Sequence, residues 1–126
     1  MTLLIIGLCG LLGIFSRYAV DIYISRFAGP LPVGTWAINL LGSFIAGLVL
    51  VAGAEKQLVS PEWRTGLMVG FCGGFTTFSA YTVQTIVQWE AGAKPLSLLY
   101  FTLSPLTGLL CAYAGIYVGR LLFSGT

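Results

Sequence analysis

Residues 73–79 read GGFTTFS: two glycines, then two threonines and a serine set among phenylalanines, inside an otherwise apolar run. In hydrocarbon every main-chain N–H and C=O must find a partner within the protein. An interrupted helix therefore survives only where protein groups or ions occupy what the break frees. Gly73-Gly74 makes an interruption cheap, because glycine accepts backbone angles that other residues resist. Thr76, Thr77 and Ser79 would supply hydroxyls, and unwound carbonyls would face a cation, a device that recurs where membrane helices meet bound ions. The other reading is a continuous helix that uses these small residues as a packing notch.

The remainder of the chain sets that segment in a membrane. Of 126 residues, 57% are hydrophobic and 8% charged, with a mean hydropathy of +0.95. A soluble domain carries about 25% charged residues, so this chain cannot coat a water-facing surface. A span needs roughly 20 mostly apolar residues, and the polar punctuation leaves room for four. These run over about 3–27 (closed by Gly29-Pro30 and Pro32), 35–54 (closed by Glu55-Lys56), 64–89 (closed by Glu90 and Lys94) and 95–123. The expected fold is an all-α membrane protein, a single domain over 1–126 with four transmembrane helices, the third broken near its midpoint.

Several classes fall away. The first run lacks a basic n-region and continues through Arg17, unlike a cleavable signal peptide. Cys9, Cys72 and Cys111 all lie within spans, and with no histidine they read as small buried thiols rather than a metal site or disulfide framework. The net charge of +2 is scattered, which gives no footprint for nucleic acid. No nucleophile–base pair, metal cluster or cofactor loop is visible, so an enzyme is not expected.

Charge leaves orientation open. Four spans put the termini and the 55–64 loop on one side, with Lys56, Arg64 and Arg120; the other side carries Arg26 and Lys94, plus Arg17 if its depth is counted. The positive-inside rule needs an excess that is absent here. Either the chain inserts both ways and pairs antiparallel, or features outside this count decide. Glycine seams at four-residue spacing, Gly66-Gly70-Gly74 and Gly115-Gly119, suit close helix contact. Polar groups on four thin helices also favour an oligomer that covers them.

Those polar groups are the informative residues. Asn39 is an amide one turn into the second span, where hydrocarbon offers its donors nothing. Arg17 lies deep in the first span with Asp21 one turn on; the two form an i,i+4 ion pair, or Arg17 raises the potential of an aqueous vestibule for an anion. Tyr100, Ser104 and Gly108 share one face of the last helix, with Thr107 beside it, either to bond a neighbouring helix or to line a narrow wet path. Phe75 and Phe78 lie in and just after the expected break, with Tyr81 one turn beyond. An aromatic edge is weakly positive and suits a small anion.

Residues 34–42, GTWAINLLG, and 70–79, GFCGGFTTFS, closely resemble the small fluoride channel family known as Fluc or CrcB; residues 10–17, GLLGIFSR, are similar to its first-helix signature. The resemblance covers nearly the whole chain. It implies a dual-topology antiparallel dimer in the cell membrane, in which fluoride passes down its gradient by two narrow pores and cytoplasmic toxicity is relieved. It further implies a structural sodium ion at the dimer centre, held by the main-chain carbonyls of Gly73 and Thr76 from both copies. By position the pore residues would be Asn39, Phe78, Tyr100 and Ser104, with Thr77, Ser79 and Tyr81 nearby, and the vestibule arginine Arg17. Fluoride is strongly hydrated, so such a pore must replace its water with donors, and several weak sites in series would let the ion leave as well as enter.

Three positions depart from the family's usual pattern. Tyr81 stands for a second phenylalanine, Gln84 for a glutamate and Gly108 for a serine. They leave the details of the ion track open and admit a paralogous partner in place of a second identical copy. The competing expectation is a small dual-topology proton-coupled multidrug exporter, but that chemistry needs a membrane-embedded carboxylate, and Asp21, late in the first span, is a poor candidate. A non-conducting assembly subunit is the third reading.

Overall fold

The computed structural model describes residues 1–27 and 31–125, and its regular elements are all helical. Helix α1 covers Thr2–Ser25 and α2 covers Val33–Glu55, whose last turn, Val51–Glu55, widens to π geometry. Helix α3 spans 61–75: a first turn, Pro61–Thr65, a π-helical stretch, Gly66–Cys72, and a final turn, Gly73–Phe75. Helix α4 is Phe78–Glu90 and α5 is Lys94–Leu122. By length and composition α1, α2 and α5 can each cross a membrane. Neither α3 nor α4 alone reaches the roughly 20 residues a span needs; the two in succession cover 61–90, the expected third crossing.

Close main-chain approach organises the packing. The α1–α3 contact runs along the expected glycine seam: a Cβ on Gly74 would sit 2.7 Å from the Gly10 carbonyl, and one on Gly70 would meet the Ile6 carbonyl and Cys9. Between α2 and α5, Gly47 lies against the Ala112 carbonyl and Gly115 against the Phe44 carbonyl. Small residues let helices approach where lipid provides no hydrophobic drive for association. At one end of the bundle Arg120 clasps Glu55 with two hydrogen bonds of 2.9 and 2.7 Å, which ties the end of α2 to the end of α5. At the other end Lys94 lies 5.3 Å from the centre of the Trp89 ring.

The break falls two residues later than the glycines suggest. Gly73 stays helical at φ −65°, ψ −37°, and the chain leaves helical geometry at Thr76 (φ −81°, ψ 162°) and Thr77 (φ −150°, ψ 117°). Phe75, expected within the interruption, is helical and 2% exposed. Gly74 thus serves as the packing notch, and the interruption follows it. The third crossing also starts earlier, at Pro61 rather than about 64. Ser60 caps it, accepting from Trp63 N–H at 3.5 Å and donating to Glu62 Oε2 at 2.7 Å, a Ser-Pro-Glu start signal legible in the sequence. Helix α1 ends at Ser25, short of 27, and the Gly29-Pro30 stop lies outside the described residues.

Candidate functional site: the interrupted third crossing

Three helices contribute to the break. From α2, the Asn39 carboxamide grips the main chain of Thr77 at two points: Nδ2 donates to the Thr77 carbonyl at 3.0 Å, and the Thr77 N–H donates to Oδ1 at 2.8 Å. In an unbroken helix that N–H would bond the Gly73 carbonyl; diverted to Asn39, it leaves Gly73 without its i+4 donor. From α1, Arg17 Nη1 donates to the Thr76 carbonyl at 3.3 Å. The Thr76 hydroxyl folds back onto the Cys72 carbonyl at 2.8 Å, and Thr77 Oγ1 accepts from Ala80 N–H at 3.2 Å as the N-cap of α4. Main-chain groups freed in hydrocarbon are thus largely repaid by side chains from elsewhere in the chain.

Two grooves flank this point. One, of about 440 Å³, is lined by Asn39, Thr77, Phe78, Tyr81, Ser104 and Gly108 among others. The second, of about 460 Å³, includes Arg17, Asp21, Thr35, Thr77, Ser79 and Gln84. Thr77 borders both. Of the residues singled out in the sequence, Asn39, Thr77, Phe78, Tyr81 and Ser104 therefore share one groove, while Arg17 and Ser79 open onto the other. Phe78 is 78% exposed in the subunit and its ring centre lies 5.6 Å from that of Tyr81. The Ser104 hydroxyl is buried with no hydrogen-bond partner among the described residues.

Other placements differ from the expectations. Arg17 and Asp21 form no ion pair: Arg17 turns to the Thr76 carbonyl, and the Asp21 carboxylate packs against Gly34 at the start of α2. Tyr100 borders neither groove; its hydroxyl donates to Gln84 Oε1 at 3.1 Å, and Gln84 Nε2 donates to Thr35 Oγ1 at 2.8 Å. The Tyr81 hydroxyl donates to the Phe101 carbonyl at 2.6 Å. Thr107 accepts from Trp36 Nε1 at 3.0 Å, the interhelical use of that face. Sequence reasoning passed over Thr35 and Ser43 as site residues and treated Gln84 only as a departure, although Gln84 and Gln88 lie one turn apart in a membrane helix. The Gln88 amide is buried and unpartnered among the described residues.

No group of three or more His, Cys, Asp or Glu side chains converges among the described residues, so a cation here would rely on main-chain oxygens. A Cβ placed on Gly73 would meet only the Met68 carbonyl, 4.0 Å away, so its side-chain face is not packed against another helix. What the site offers is donors and an aromatic edge at membrane depth, beside a main chain with spare acceptors.

Comparison with known proteins bears on that arrangement. The family model described as CrcB-like protein, Camphor Resistance (CrcB), matches residues 4–116. The chain is 40% identical over 116 residues to Fluoride-specific ion channel FluC 1 of Moorella thermoacetica, covering 91% of this chain and 81% of that protein. It is 39% identical to Fluoride-specific ion channel FluC of Agrobacterium fabrum, covering 90% and 92%, and 35% identical to the Chlorobium phaeobacteroides protein of the same name, covering 94% and 92%. A match of this extent, on a chain whose helices are long and apolar enough for several membrane crossings, makes it a multi-pass membrane protein that belongs to the CrcB family.

Proposed function

We propose that this chain is a fluoride-selective channel, not an enzyme, that lets fluoride leave the cell passively. The observation that carries the proposal is the groove at the break, where Asn39, Phe78, Tyr81 and Ser104 meet, the buried Ser104 hydroxyl having no partner among the described residues, in a chain whose relatives are named fluoride-specific channels. Fluoride shedding its water needs compact donors, and a buried hydroxyl without a partner is one. The weakly positive edge of Phe78 suits an anion better than a cation. The Asn39 amide spends one N–H on Thr77, so it offers the ion its other one.

The functional unit would be an antiparallel pair of subunits, identical or paralogous, inserted in both orientations. Near-equal Lys and Arg counts on the two sides support it, as does the 78% exposure of Phe78 in a single subunit. A structural sodium ion at the subunit contact would be held by the Gly73 and Thr76 carbonyls of both copies. The freed Gly73 carbonyl fits that role; Thr76 shares its oxygen with Arg17 but keeps a second lone pair. When bound, the ion supplies positive charge that gathers these carbonyl dipoles at the contact.

Efflux from liposomes holding this protein alone tests the reading. Fluoride release without chloride release is expected. Drug–proton exchange, or silence that a second subunit does not relieve, would overturn it.

A further inference from the structure

Helix α5 contains a proline, Pro105, in its interior. Proline has no N–H, so the carbonyl four residues back, that of Phe101, loses its helical donor, and the ring crowds it. In hydrocarbon such a carbonyl needs a replacement partner. Tyr81 on α4 provides one: its hydroxyl donates to the Phe101 carbonyl at 2.6 Å, at the short end for O–H···O geometry. The Tyr81 side chain is buried, 5% exposed, and its ring lies nearly parallel to that of Phe101, with centres 6.2 Å apart. Ser104, whose buried hydroxyl lacks a partner among the described residues, immediately precedes the proline and borders the groove with Asn39 and Phe78.

We propose that Tyr81 is a positioning residue: its hydroxyl stands in for the N–H that Pro105 lacks, and so fixes the stretch of α5 that presents Ser104 to the groove. The Tyr81 proton is committed to Phe101 and is not offered to an anion, while the ring still borders the groove beside Phe78. Tyrosine at 81 and proline at 105 form a matched pair. This rests on the fluoride reading for its flux arm only.

A double-mutant cycle tests the pairing in the full-length protein, with Tyr81→Phe, Pro105→Ala and the double variant each followed by reversible unfolding in detergent and by fluoride efflux. Interhelical hydrogen bonds in membranes predict that Tyr81→Phe alone shifts the folding constant by about three- to fifteenfold, and flux should fall with it. With Pro105→Ala the N–H at 105 returns to the Phe101 carbonyl, and adding Tyr81→Phe should then move neither readout appreciably. Pro105→Leu, which restores the same N–H, should behave alike. Equal stability losses with and without the proline, or no loss in either, would overturn the pairing. A flux loss in both backgrounds with unchanged unfolding would overturn it too, and make the hydroxyl an ion donor. If wild-type protein passes no fluoride, the fluoride reading fails, and the unfolding cycle alone decides the pairing.

Discussion

Asn39 and Thr77, 38 positions apart in the chain, are joined by a two-point hydrogen bond, carboxamide to main chain, at 3.0 and 2.8 Å. One side chain thereby satisfies both an N–H and a C=O that the interrupted crossing would otherwise leave bare. It also prevents that N–H from closing the helix onto Gly73.

Replacing Asn39 should open this clamp. Asn39→Ala strands both Thr77 groups, at a cost of about 1–3 kcal/mol. Asn39→Asp keeps the acceptor but sets a carboxylate against the Thr77 carbonyl. Both variants should lose at least tenfold in fluoride efflux from liposomes, with the elution volume on size-exclusion chromatography unchanged. Wild-type flux in both would remove Asn39 from the path.

The α1–α3 seam makes a paired prediction. A Cβ at Gly74 would lie 2.7 Å from the Gly10 carbonyl, whereas one at Gly7 meets nothing within 4 Å. Gly74→Ala should push two main chains apart and destabilise by about 1–3 kcal/mol. Gly7→Ala should be neutral or stabilise by up to about 1 kcal/mol through helix propensity. Thermal unfolding in detergent separates the two.

Ser104 should dissociate stability from activity. Its hydroxyl is buried and unpartnered among the described residues, so Ser104→Ala removes an unsatisfied group and should leave stability unchanged or slightly raised. Fluoride efflux should nonetheless drop by about tenfold if the hydroxyl is worth the roughly 1.4 kcal/mol of a donor to an anion. A variant that is both less stable and fully active would refute this assignment.

Phe78 tests the aromatic edge. At 78% exposure it contributes little to the packing of one subunit, so Phe78→Ile should keep the fold, and circular dichroism should be unchanged. Efflux should fall steeply, because an aliphatic side chain has no positive edge to offer. Tryptophan at this site, also aromatic, should retain more flux than isoleucine.

By itself the sequence determined the class and the inventory. With 8% charged residues it had to be a membrane protein; its punctuation marked four apolar runs whose limits lie within a few residues of helix ends, and the polar residues within them, Arg17, Asn39, Thr77 and Ser104, stood out because hydrocarbon gives them no other partner. The small-residue seams were equally legible, since glycine at four-residue spacing has one geometric consequence on a helix. Tertiary structure decided which partner each polar group takes. The interruption lies at Thr76-Thr77 rather than at the glycines because Asn39, from another helix, outcompetes the Gly73 carbonyl for one N–H. Arg17 bonds Thr76 instead of Asp21, and Tyr100 bonds Gln84 instead of facing the groove. Such choices are contests between groups far apart in the chain, each worth about a kilocalorie per mole, and spacing along one helix carries no information about competitors that only folding brings near.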